Sequence, residues 1–179
     1  AKSKHHLEQI ALALHYIHSQ GLVHRDVTPN NIMITTDGGI KIMDFGVVHT
    51  PDTELTQFGS MLGTISCISP EQIKGEELDS RSDLYALGVI LYRMLTGKYP
   101  FQASSYTGYL SQHLNEPPKP PSDIRPLMPL KIENCCLRLL EKAPQNRFSS
   151  ARHVLLFLNY PLPKGIFSII GRNKEVALL

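Results

Sequence analysis

The sequence predicts an α+β domain that is mainly α, a single small β-hairpin followed by a pile of helices. In "NIMITTDGGIKIMD" two short apolar, β-branched runs flank Asp37-Gly38, a strong hairpin signal. Residues 83–95, "DLYALGVILYRML", are apolar on nearly every side, as in a helix at the centre of a domain. Helical spacings also precede the hairpin and follow the apolar helix, with no internal repeat and no low-complexity tract.

Residues 5–19 read as a helix, with Leu7, Ile10, Leu14 and Ile17 on one face and Gly21 just beyond its end. If Asp37 and Gly38 form the hairpin loop, Thr36 faces Gly39 and paired positions sum to 75. That register sets Asn31 directly opposite Asp44, with Cβ atoms roughly 4.5–5.5 Å apart. Residues 47–62, which include Thr50, Thr53, Thr56 and Ser60, are polar without a period and read as a long loop of the functional kind. The apolar helix ends at Gly97 and Pro100, and a helix near 104–114 follows. "EPPKPPSDIRPLMP" is a stiff, irregular connection. Residues 130–142 and 149–159 read as two further helices, the second with Ser149 or Ser150 as its N-cap.

Composition narrows the function classes. The chain has 179 residues, the size of one ordinary domain, and 42% of them are hydrophobic. Its 18 basic and 16 acidic residues are scattered and leave a net charge of +2, which offers no electrostatic case for nucleic acid. Cys67, Cys135 and Cys136 are odd in number and form no C-x-x-C, so neither a disulfide framework nor a zinc site is expected, and a reducing cytoplasm fits best. The apolar run Leu84–Tyr92 is too short to span a bilayer, and no membrane segment is expected.

Three signatures stand in order along the chain. His24-Arg25-Asp26 with Asn31 resembles the catalytic loop H-R-D-x-x-x-x-N of eukaryotic-type protein kinases, Asp44-Phe45-Gly46 their D-F-G, and Ser69-Pro70-Glu71 their A-P-E. "GTISCISPEQ" is most similar to the bacterial Ser/Thr kinases, and the likeness continues through "SDLYALGVILYRMLTGKYPF" and "KAPQNRF" to about residue 160. The resemblance implies a kinase-like large lobe over residues 1–160, acting on ATP and a protein substrate with Mg2+. It implies Asp26 as the group that receives or orients the substrate hydroxyl, with Asn31 and Asp44 as oxygen ligands of the metal and Met33 as the floor under adenine. Arg25 would pair with a phosphate on the following loop, at Ser60 or at Thr56; alternatively both are solvated hydroxyls. Thr64 would bond near Asp26, and Gly46 would let the chain turn after the metal ligand. Glu71 and Arg147 would form a buried ion pair, Asp83 would hold the backbone of the His24-Arg25 turn, and His24 would pack against Phe45 as scaffold.

The likeness has gaps. Thr28 stands where Ser/Thr kinases usually carry a lysine that touches the transferring phosphate, and losing such a cation could lower the rate roughly 10²–10³-fold. Cys67 and Ala143 replace a usual Tyr and Asp. No G-x-G-x-x-G occurs anywhere in the 179 residues, and neither a strand lysine nor its helix glutamate partner is recognisable. The small N-terminal lobe is therefore expected to be missing, with little turnover by this chain alone. Residues 161–179 read as a linker, and "IIGRNKEVALL" resembles the opening of an ATPase module; a frayed terminal helix is the alternative. Two functions remain in contention: a kinase lobe that transfers the γ-phosphoryl of ATP to a protein hydroxyl, and a pseudokinase-like binding module without catalysis.

Overall fold

The computed structural model describes residues 2–36, 38–44 and 65–162. Phe45, Gly46, Thr56, Ser60, Thr64 and the tail 163–179 lie outside the described residues. Helix α1 (Lys2–Ser19) opens the chain, and the 3-10 turn Pro29–Asn31 leads into strands β1 (Ile32–Ile34) and β2 (Ile40–Ile42). Helices α2 (Pro70–Lys74), α3 (Ser80–Thr96), α4 (Tyr106–Asn115), α5 (Leu130–Leu139) and α6 (Ala151–Phe157) follow. The described part is thus mainly helical, with a two-stranded antiparallel hairpin.

The hairpin register differs from the one the sequence suggests. Ile32 pairs with Ile42, Met33 with Lys41 and Ile34 with Ile40, so paired positions sum to 74. The tip accounts for the shift. The Thr35 amide donates to Gly39 O at 2.9 Å and the Gly38 amide to Thr35 O at 2.9 Å, with Gly38 at φ +86°. The loop is one residue longer than a two-residue turn, and a glycine in the left-handed region closes it. Asn31 consequently lies opposite Met43, whose amide donates to Asn31 O at 2.8 Å. Asp44 falls one residue further along.

Helix α3 is the axis of the fold. The Asp79 carboxylate caps its N-terminus through the Arg81 amide at 2.7 Å, and Gly97 ends it at φ +77°. Every residue from Ser82 to Tyr92 is buried. Around it pack α1, through Leu7, Ile10, Ala11, Leu14 and Ile17, and α5, through Cys135, Cys136 and Leu139. Helix α1 also touches α6 and β2, so it braces the hairpin against the helical base. Of the two candidate caps for α6, Ser150 fills the role by accepting from the His153 amide. Among the described residues, no helix is long and apolar enough to cross a membrane.

Helices α3 and α5 approach closely at Gly88. A Cβ there would lie 2.7 Å from Leu139 Cβ and 3.1 Å from the Leu139 carbonyl carbon. Leu139 is fully buried and has no room to retreat. Gly88→Ala should therefore cost about 1–3 kcal/mol by overpacking, read as a fall in the urea midpoint at unchanged m-value. An unshifted midpoint would contradict the close packing of α3 on α5.

A polar inclusion sits in the same core. His113, with no exposed surface, pairs through Nδ1 with the Tyr85 hydroxyl at 2.9 Å and sets its ring against Phe101. Burial, with the Lys142 ammonium nearby, holds its pKa down at about 3 against the usual 6.5. Between those values the unfolded chain binds a proton that folded His113 does not. Stability should therefore fall as pH drops from about 6.5 towards about 3, by up to about 1.4 kcal/mol per pH unit from this group. His113→Gln removes the titrating ring, so urea melts at stepped pH should show a flatter acid limb.

Candidate active site

The site begins where α1 ends. Gly21, at φ +73°, reverses the chain and brings residues 24–31 back beneath the hairpin. The first residues of this loop are tied to α3. The His24 amide donates to Asp83 Oδ2 at 2.9 Å and the Arg25 amide to Asp83 Oδ1 at 2.8 Å. Asp83 is itself 1% exposed. It is free for this task because the N-terminus of α3 already has Asp79 as its cap.

Arg25 adopts φ +69°, a conformation that non-glycine residues enter only when their surroundings impose it. The surroundings are visible on both sides of the residue. Asp83 accepts its N–H, and the Gln72 side chain donates Nε2–H to its carbonyl at 2.7 Å. The Arg25 side chain is exposed. His24 is fully buried and locks the turn from inside. Its Nδ1 accepts from the Asp26 amide at 3.3 Å, so Nε2 carries the hydrogen given to Met43 O at 3.0 Å. One imidazole therefore links the loop to the residue just before Asp44.

Asp26 and Asn31 are held together. Asn31 Nδ2 donates to Asp26 O at 2.8 Å and to Asp26 Oδ2 at 2.9 Å. Pro29 starts the 3-10 turn between them, and the Asn31 amide returns to Thr28 O at 3.1 Å. With the amide nitrogen committed to Asp26, Oδ1 is the end of Asn31 suited to a metal. Asp44 follows Met43, the cross-strand neighbour of Asn31, and stands exposed at φ +54°. Met33 is 46% exposed on the hairpin, and Thr28 is buried, at 2% exposure. Cys67 lies near this loop. Burial, helped by the negative charge of Asp26, pushes its thiol up to about 12, which leaves it unreactive as a nucleophile.

The segment Ser69–Gln72 shows how few residues can carry several jobs. Ser69 caps α2, accepting from the Gln72 amide, while Gln72 Oε1 accepts the Ser69 amide at 2.9 Å in a capping box. The side-chain NH2 of Gln72 is left to donate to the Arg25 carbonyl, as above. Glu71 is buried against Arg147: Nη1 reaches Oε1 at 2.7 Å and Nη2 reaches Oε2 at 2.8 Å, with Ser82 Oγ also donating to Oε1 at 2.7 Å. Burial alone would raise the Glu71 carboxyl, but the Arg147 and Ser82 hydrogen bonds outweigh it and hold the carboxyl below the ordinary range.

Among the described residues, no three or more His, Cys, Asp or Glu side chains group as a metal cage. Magnesium does not need one, because it binds through one or two carboxylates, water and substrate phosphates. The hard oxygens of Asp44 and Asn31 fit that demand. Sequence reasoning missed Gln72 and His18. The S-x-x-Q spacing of a capping box could have flagged Gln72. His18, which reaches Asp83 from the last turn of α1, had no local signal.

Residues 1–156 match the family described as "Protein kinase domain". The chain belongs to the protein kinase family, a family of phosphotransferases, and is homologous to bacterial Ser/Thr kinases. It is 39% identical over 174 residues to the probable serine/threonine-protein kinase PknB of Bifidobacterium longum, covering 91% of this chain and 25% of that protein. It is 42% identical over 142 residues to the serine/threonine-protein kinase PknB of Mycolicibacterium smegmatis, covering 78% and 23%. With the PknB of Mycobacterium leprae it shares 40% over 141 residues, again 78% and 23%. The chain spans about a quarter of the length of these curated relatives.

Proposed function

We propose that this chain is the large, substrate- and metal-binding lobe of a protein Ser/Thr kinase that transfers the γ-phosphoryl of ATP to a protein hydroxyl. The observation that carries this reading is the Asp26–Asn31 unit: a carboxylate aimed by an amide whose oxygen end remains suited to a metal. Asp26 positions the incoming hydroxyl and takes its proton as the hydroxyl oxygen bonds to the γ-phosphorus and the bond from that phosphorus to the departing ADP oxygen breaks. Bound Mg2+ would neutralise charge on the phosphates, held by Asn31 and Asp44. Met33, half exposed, would supply an apolar floor for adenine, and Arg25, whose side chain is exposed, would pair with a phosphate added at Ser60 or Thr56. The small lobe that covers the nucleotide would be supplied outside these 179 residues. In the whole gene product, Mg-ATP should raise the melting temperature, by the equivalent of about 2.7 kcal/mol at a hundred times Kd. Asp44→Ala should abolish the part that depends on magnesium. No magnesium-dependent shift, or one that Asp44→Ala leaves intact, would sink the metal assignment.

A pseudokinase-like binding module is the second reading, and Thr28 favours it. Its short neutral side chain is buried at the position where the resemblance places a phosphate-contacting lysine. Under that reading the same variants change nucleotide binding little, and wild-type protein transfers no phosphate to any hydroxyl.

A further inference from the structure

We propose that His18 is a positioning residue for phosphoryl transfer, acting through Asp83 to hold the Arg25 peptide and hence Asp26 in place. The catalytic half of this statement rests on the kinase reading above; the structural half does not. His18 Nε2 lies 2.8 Å from Asp83 Oδ2. A carboxylate oxygen can only accept, so His18 is the donor. The same oxygen accepts the His24 amide, and the other accepts the Arg25 amide. Asp83 thus receives its donors from two directions: two from the loop it orients, and one from a helix anchored elsewhere in the core.

Among the described residues, only the His18 bond to Asp83 comes from outside the loop, and this gives it its particular role. Helix α1 is fixed by six buried apolar residues against α3, α6 and β2, so His18 is a rigid reference point. The two loop amides cannot set the Asp83 rotamer by themselves, because they belong to the segment being positioned. That segment is strained at Arg25, φ +69°, and relaxes when its restraints weaken. The donor arrangement also has a visible expense: His18 Nδ1 is buried without a hydrogen-bond partner among the described residues. A ring kept there with one nitrogen unsatisfied is present for what the other nitrogen does.

The test compares His18→Phe, which keeps the ring's volume and removes the donor, with His18→Gln, whose amide restores a donor. Hydrogen exchange on the full chain should show the His24 and Arg25 amides exchanging at least tenfold faster in His18→Phe, measured relative to the amides of α3. His18→Gln should restore protection. In the whole gene product, kcat for phosphoryl transfer should fall tenfold or more in His18→Phe while KM for ATP changes less than twofold, with His18→Gln close to wild type. Exchange that rises equally across the fold, or is unaltered at the loop, overturns the proposal, as does a Gln variant as impaired as Phe or an unchanged kcat. Should wild-type protein transfer no phosphate, the kinase reading and the catalytic half fail together, and the exchange comparison still decides whether His18 holds the loop.

Discussion

Arg147→Leu should destabilise the fold by about 3–5 kcal/mol, because it leaves the Glu71 carboxylate buried without its cation. Arg147 has no exposed side-chain surface and makes hydrogen bonds to both Glu71 oxygens and to the carbonyls of Arg81, Glu141 and Lys142. Leucine replaces none of these. Ser82 would remain the one side-chain donor to Glu71 among those described. The pH dependence gives the prediction its sign. In the native protein Glu71 is held below 4.5, so its contribution is present above that value and is lost as pH falls. In the variant, burial is uncompensated and raises the carboxyl instead. The gap between native and variant should therefore shrink on acidification from pH 7 to below about 4.5. Urea melts at two pH values measure it. A gap that stays constant, or a loss under about 1 kcal/mol at pH 7, would mean that the pair is not the anchor its geometry describes. Removing both partners, as in Glu71→Leu with Arg147→Leu, should be milder than the single change, since no lone charge is left inside.

Asp26→Asn should lower phosphoryl transfer by the whole gene product about 10²–10⁴-fold, the usual contribution of a positioned general base. The substitution is nearly isosteric and keeps an acceptor oxygen for Asn31 Nδ2, so the loop should survive it. Stability should change by less than about 1 kcal/mol, and the Mg-ATP thermal shift should persist, because the metal is assigned to Asn31 and Asp44. A variant that keeps its rate would remove Asp26 from the chemistry. A variant that loses nucleotide binding along with rate would place Asp26 among the metal ligands instead.

Much of the site was legible as residue types but not as contacts. Asp26, Asn31 and Asp44 stand out because an acid, an amide and a second acid flank a hairpin signal in the family's order. The contact between Asn31 and Asp26 was not legible, because it depends on the 3-10 turn at Pro29 and on which end of the amide faces inward. The proposed facing of Asn31 and Asp44 was wrong by one position. Asp-Gly serves loops of more than one length, and each added residue moves the whole ladder. The linkage of Glu71 to Arg147 was legible through the family resemblance, since no local spacing connects residues 76 positions apart.

The order of elements, the central place of α3 and the buried face of α1 were determined by the sequence itself. They arise from periodicity, caps and glycine stops, and those act within a few residues. Tertiary structure alone decided the strand register, the closeness of Gly88 to Leu139, and the convergence of His18, Gln72 and Asp83 on one strained peptide. Outside the hairpin, those contacts join residues dozens of positions apart, and hydrogen-bond donors and acceptors of the same kind occur all along the chain. Only the packing of α1 and α2 around α3 selects which of them meet.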